Sequence, residues 1–261
     1  MNASTLRANA RQTLQGRWVK AAIVVLVSTL VSFLLSFLNA IPLIGGVAVM
    51  LISIPLSYGL VATFMKFRRN EDFTYTTFLS EGFANFKKVW FVTLRILLKV
   101  LPWFILSIVL TVASICLFYI TMGSGIVSLL IPYPDITNEF SAYLANALIT
   151  ISFTVLSTTL YIFKAYSYVL SYFILYDEPT LGAKEVVEKS ASLMKKNKWR
   201  HFCLNLSFIG WAILSVYTFG IGFLFLAPYM QIANIHFYED LLGRKDIPNS
   251  NEDEGNAIKE N

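Results

Sequence analysis

Carboxylates are scarce in this chain, and none of its sixteen aspartates and glutamates falls well inside an apolar run. A charge is kept deep in a membrane only for a task, and cation- or proton-coupled transport needs such a carboxylate. Coupled transport is therefore disfavoured, while a path for an anion or a lipid stays open. Histidine is limited to His201 and His236, and cysteine to Cys116 and Cys203. Neither pair shows the CxxC or Cys/His spacing of a metal or thiol redox centre. The cysteines are expected as inert buried thiols, and the histidines as satisfied residues near the inner membrane boundary. HExxH, GxSxG and Walker A sequences are absent, and so is any convincing nucleophile–base pair. No catalytic, cofactor-binding or metal-ligating residue is nominated, and a non-enzymatic role is expected. Charged residues make up only 14% of the chain, where soluble domains carry about 25%.

What is present in quantity is apolar: 56% of residues are hydrophobic, and they are gathered into runs. Six are marked, near 20–40, 43–65, 100–122, 147–169, 203–220 and 221–238. Their length approaches the ~20 helical residues that cross a hydrocarbon core of about 30 Å. The first run follows a basic tail but is too long for a signal-peptide core and lacks a small-residue cleavage site, so it reads as an uncleaved span. "NAIPLIGG" joins the first pair and "FGIG" the last, both with the Gly/Pro punctuation of a tight turn. The middle pair has a longer connection, opened by the "GSG" at 123–125. The fold class expected is all-α, a polytopic membrane bundle of about six helices arranged as three hairpins, with amphipathic helices on the cytoplasmic face. Residues 1–19 form an amphipathic N-terminal segment, 20–243 the transmembrane domain, and 244–261 a polar tail without periodicity that is expected to be disordered.

Lysine and arginine orient this bundle, because they concentrate in cytoplasmic loops near span ends. Arg7, Arg11, Arg17 and Lys20 precede the first run; Lys66, Arg68, Arg69, Lys87 and Lys88 follow the second; Lys184 to Arg200 follow the fourth; Arg244, Lys245 and Lys259 close the chain. The alternate connections near 39–46, 123–146 and 218–222 contain none. Both termini are therefore expected in the cytoplasm of a multi-pass plasma-membrane protein. A weak threefold repeat accompanies the charge. "LQGRWVKAAIVV", "NFKKVWFVTL" and "KKNKWRHFCLNL" each lead from basic residues through a tryptophan (Trp18, Trp90, Trp199) into apolar sequence. Within 180–196, Ala183, Val186, Val187, Ser190, Leu193 and Met194 mark one face of a helix opposite Lys184, Glu185, Glu188 and Lys189. Pro179 suits the preceding turn and Thr180 a cap.

Lys164 lies in the aromatic run "LYIFKAYSYVLSYFILYDEP". Residues 84–99 are expected along the inner interface, with a bend near Pro102 into the span, which puts Arg95 and Lys99 one helical turn apart on one face. Entering from outside near Ala147, the fourth run brings Lys164 to the inner interface after about 26 Å of helix. Long basic side chains snorkel at such depths. The three cations are candidate contacts for an anionic headgroup, and Glu239 and Asp240 are candidate ion-pair partners. Thr150, Thr154, Ser157 and Thr158, and Gln231 and Asn234, suit helix–helix packing.

"KAYSYVLSYFILYDEP", the "S..LMK..KW..F.L.LSFIGW" pattern and "FYEDL" together resemble an integral-membrane family of bacteria, domain of unknown function 975. The resemblance implies a six-helix protein of the cytoplasmic membrane, distantly similar to membrane domains attached to glycerophosphodiester phosphodiesterases. It carries no catalytic residues over. The leading expectation is a protein that organises lipid, anionic lipid above all, or a membrane-protein partner at the inner leaflet. A transporter or channel for a small anionic or lipidic solute is the alternative. No cofactor, metal or nucleic-acid partner is implied.

Overall fold

The computed structural model describes residues 1–42, 44–128 and 136–243, and every regular element in them is helical. In chain order these are α1 (Ala3–Leu14), α2 (Trp18–Ser36), α3 (Ile44–Arg68), α4 (Thr77–Ala84), α5 (Phe86–Ser128), α6 (Ile136–Ala165), α7 (Ser171–Asp177), α8 (Ala183–Met194), α9 (Lys198–Leu206), α10 (Ile209–Tyr217) and α11 (Phe223–Leu241). The expected disordered tail at 244–261 lies outside the described residues. Two compact units form. One comprises Met1–Thr93 with the chain from Leu170 onward, the other Leu94–Val169.

In the first unit α11 is the central element. It packs against α1, α2, α3 and α10, and buries Ile232, Ala233, Ile235, Phe237 and Tyr238 completely. Around it, three short amphipathic helices precede the three tryptophan-bearing segments. Each buries a small residue one turn from a large one. Leu6, Ala10 and Leu14 do so on α1, Phe78 and Gly82 on α4, and Val186, Ser190 and Met194 on α8. The small residue lets the helix axis approach its neighbour, and the large one fills the adjoining groove. The three helices thus share a pattern of buried positions. The face expected on 180–196 is the buried one, and it rests on α7. The cap differs from expectation. Gly182 precedes α8, and its N–H donates to Glu185 Oε2 at 2.8 Å. Glu185 stands at the third helical position, where a side chain can reach back to that N–H; Thr180 lies too far upstream to do the same.

Four helical stretches are long and apolar enough to cross a membrane: Trp18–Ala40, Ile44–Arg68, Phe86–Ile120 and Leu144–Asp177. The second unit holds most of the last two, which begin and end in the first. Their most apolar windows are only 11% and 6% buried within the protein. Helices so apolar and so little covered by the chain require an apolar surrounding. These four stretches place the protein in a membrane.

The structure does not show six crossings, because the fifth run is split at Ser207 and Phe208 into α9 and α10, nine residues each. Along the third run α5 continues through Pro102 without interruption, for 43 residues. A proline removes one hydrogen bond, which an apolar helix in lipid tolerates. Lastly, "GSG" does not open a loop: Gly123 to Gly125 lie within α5, and α6 already begins at Ile136 rather than near Ala147. The turn at "FGIG" is as tight as expected. Phe219 and Gly220 take φ of +52° and +86°, and the Gly220 N–H donates to Ser215 O at 3.0 Å, the six-to-one bond of a helix stop.

Candidate functional site

Cations favour the carbonyl-rich end of a helix, and α3 ends in Lys66, Arg68 and Arg69. Asn70 stops it with a φ of +56°, and the Glu71 N–H closes back on Lys66 O at 3.0 Å. The three cations then point to three different elements. Lys66 pairs with Glu81 of α4 at 2.6 Å, Arg69 with Asp177 of α7, and Arg68 with Glu239 of α11 at 3.4 Å. Arg17 joins the same corner, donating to Asn70 Oδ1 at 2.6 Å while its guanidinium lies 4.6 Å from the Phe67 ring centre.

The Arg68–Glu239 pair is the most enclosed of these, with the two residues 4% and 6% exposed. His236, also buried, brings Nδ1 to 3.8 Å from the Glu239 carboxylate and shares a hydrogen bond through Nε2 with Thr13 Oγ1 at 2.9 Å. One buried polar chain therefore ties α1, α11 and α3. Both histidines are enclosed by the protein and hydrogen-bonded. His201 is 3% exposed and packs its ring 5.1 Å from that of Phe237. The cysteines depart from expectation: Cys116 is exposed on α5 and Cys203 is half-buried. An apolar thiol needs no protein cover when hydrocarbon surrounds the helix. Among the described residues, no three His, Cys, Asp or Glu side chains gather as a metal site would require.

Asp240 holds the N-terminal segment. It accepts from Arg200 at 2.5 Å and from the N-terminal ammonium at 3.0 Å. Partial burial alone would raise its carboxyl, but those two cations outweigh burial and hold it below the usual carboxylate range. A depressed folded value means that the stabilisation is present above the unfolded value of about 3.9 and is lost as pH falls through the folded one. Asp240→Asn is therefore expected to melt a few degrees below wild type at pH 6, and the gap should close below about pH 4. Parallel thermal melts of the two proteins test this, and a gap independent of pH would remove the ionic account.

In the second unit Trp103 stands opposite Lys164, Phe104 opposite Tyr161, and Ser114 opposite Thr150, so α5 and α6 run antiparallel. Lys164 occupies the last turn of α6, where the helix dipole favours a cation, and its ammonium sits 5.2 Å from the Trp103 ring centre. Lys99 and Arg95, both exposed, lie one and two turns away along α5, about 6 and 12 Å. The three cations share one end of this unit. Thr150 reaches across to Ser114 O at 3.3 Å and Ser157 is buried, whereas Thr158 is exposed. Glu239 and Asp240 take Arg68 and Arg200 as partners, as described above.

Residue-by-residue reading missed a slot of about 380 Å³ in the first unit. Trp18 of α2, Trp211 and Leu214 of α10, and Phe225, Leu226 and Tyr229 of α11 line it, and Arg11 of α1 is its one charged wall residue. The available signal was the pair of tryptophans, Trp18 at the basic start of the first apolar run and Trp211 inside the fifth. No curated protein and no solved structure matches the chain. The model of one family matches residues 1–245. The chain belongs to that family, described as protein of unknown function (DUF975).

Proposed function

We propose a non-enzymatic, multi-pass protein of the bacterial cytoplasmic membrane that gathers anionic lipid at the inner leaflet. The observation that carries this reading is the placement of charge at helix ends. Arg17, Trp18 and Lys20 stand at the start of α2, Lys66 to Arg69 at the end of α3, Lys87 and Lys88 at the start of α5, and Lys164 at the end of α6. If each helix crosses once, all four basic ends share one side, the cytoplasmic one by the positive-inside rule. The α10–α11 hairpin supplies the fifth and sixth membrane segments, returns to the side it left, and keeps both termini cytoplasmic.

Extraction of the tagged protein in native-membrane nanodiscs, followed by lipid mass spectrometry, tests the role. Anionic phospholipid is expected above its share of the bulk membrane. Changing Arg95, Lys99 and Lys164 together to glutamine should reduce that excess several-fold, at about 1 kcal/mol per basic side chain near the surface. Bulk composition around wild type would overturn the reading. A stoichiometric protein partner with bulk lipid would replace it by a scaffold role.

A further inference from the structure

We infer that the slot between α10 and α11 binds one anionic phospholipid of the inner leaflet, with an acyl chain against Trp211, Leu214 and Phe225 and its phosphate at Arg11. The inference rests on the inner-leaflet reading above and gives it an address. Three features of the slot select this occupant.

The first is charge. No aspartate or glutamate occurs in residues 1–70 or 201–238, which contain every residue lining the slot. Arg11 thus meets no carboxylate among the residues that line the slot, and the two carboxylates further along α11, Glu239 and Asp240, are taken by Arg68 and by Arg200 with the N-terminal ammonium. Arg7 adds to the field. Both arginines act electrostatically on the Tyr229 hydroxyl, which itself donates to Arg7 O at 3.2 Å. A second cleft, about 370 Å³ beneath Arg17 and Lys20, also contains Glu71 and Asp72 and lacks this one-signed character.

The second is length. Tyr229, near the arginines, lies seven residues from Gly222, where the slot meets the α10–α11 turn. At 1.5 Å per residue the cationic end and the turn end are about 10 Å apart. An acyl chain anchored by its headgroup fits that arrangement, whereas a compact soluble anion would leave the apolar part empty.

The third is depth. Helix α1 is amphipathic, burying Leu6, Ala10 and Leu14 and exposing Arg11 and Gln12. Such a helix lies in the headgroup layer, and it touches α11 at Tyr229 and His236. Of those two contacts Tyr229 is the nearer to the hairpin tip, and we take its level as the membrane surface. The hairpin tip at Phe219 is ten residues further on, about 15 Å, or half of a ~30 Å core. Tyr217, Phe219 and Ile221 at the tip are 80%, 100% and 63% exposed, as a tip ending in hydrocarbon requires. The hairpin enters one leaflet, and its slot opens to that leaflet alone. Trp18, whose ring meets Tyr229 edge-on at 6.0 Å, sits at the boundary where tryptophan is favoured.

Trp18 and Trp211 make the test direct. The full chain carrying Trp90, Trp103 and Trp199 changed to phenylalanine is placed in nanodiscs doped with phosphatidylglycerol or phosphatidylcholine bearing brominated acyl chains. Brominated phosphatidylglycerol is expected to reach half-maximal quenching at about one-fifth of the phosphatidylcholine mole fraction, the factor set by one basic side chain. Arg11→Gln should abolish that difference and Arg11→Lys should keep it. Equal quenching by the two lipids in the parent protein, or a preference that survives Arg11→Gln, overturns the slot assignment. If the slot fails while anionic lipid still accompanies the purified protein, the inner-leaflet role stands without this address. If both are lost, the role fails as well.

Discussion

Replacing Glu239 with alanine is expected to lower stability by about 3–5 kcal/mol, the range for removing one partner of a buried ion pair. The carboxylate lies near the C-terminal end of α11, where the helix dipole disfavours an anion. What holds it there is Arg68, enclosed at 4% exposure and 3.4 Å away. Without Glu239, Arg68 remains buried with Arg17 near enough to repel it. His236 loses a neighbour at 3.8 Å while keeping Thr13. A melting-temperature loss on the order of 10 °C should follow for a domain of this size, read by size-exclusion fluorescence of detergent-solubilised protein after heating. The double change Arg68→Met with Glu239→Leu should recover most of the loss, because two apolar side chains of similar volume replace a buried pair at little cost. An alanine variant that melts with wild type would mean that water reaches Arg68. A double variant no better than the single would mean that packing, not charge, is what Glu239 supplies.

Arg68 also shows where sequence reading stops. As one of a pair of arginines after an apolar run, it was legible only as a positive charge on the inner side. That its charge is neutralised inside the fold depends on Glu239, 171 positions later, coming alongside. Nothing local encodes that approach. Membrane class, by contrast, was legible because run length against bilayer thickness is a one-dimensional comparison. The amphipathic face of α8 was legible for a similar reason, since helical periodicity is local. The last two runs do not show as crossings, because composition counts apolar residues without asking what covers them. α11 buries most of its later half against α1, α2 and α3, and so uses in a protein core the side chains that would otherwise face lipid. Lys164 lies in the last turn of α6, and the Trp103 ring beside it follows from the antiparallel register of α5 and α6. The slot at Arg11 gathers residues from α1, α2, α10 and α11, and no single stretch of sequence contains it.

The same dependence on three-dimensional approach governs the crossing of α3 and α4, where a single methyl group is expected to have a large effect. A Cβ built on Gly59 would stand 1.8 Å from Phe78 O, and one on Gly82 would stand 2.5 Å from Pro55 O. Each helix thus lays its backbone on the other at a glycine, as small residues permit where helices pack closely. The obstacle at Gly59 is a carbonyl fixed in a helix, not the end of a flexible side chain, so Gly59→Ala must push α4 bodily away. That displacement carries Phe78, 1% exposed, out of its place and strains the Lys66–Glu81 pair at 2.6 Å. The cost should reach about 3 kcal/mol, the upper part of the range for overpacking. Gly46→Ala supplies the control on the same helix. A Cβ there meets nothing within 4 Å, and alanine is the better helix former by up to about 1 kcal/mol. Opposite signs for two identical substitutions on α3, measured as melting temperatures side by side, are the expected result. A neutral Gly59→Ala would show that α3 and α4 do not touch through their backbones, and the route by which Lys66 reaches Glu81 would have to be redrawn.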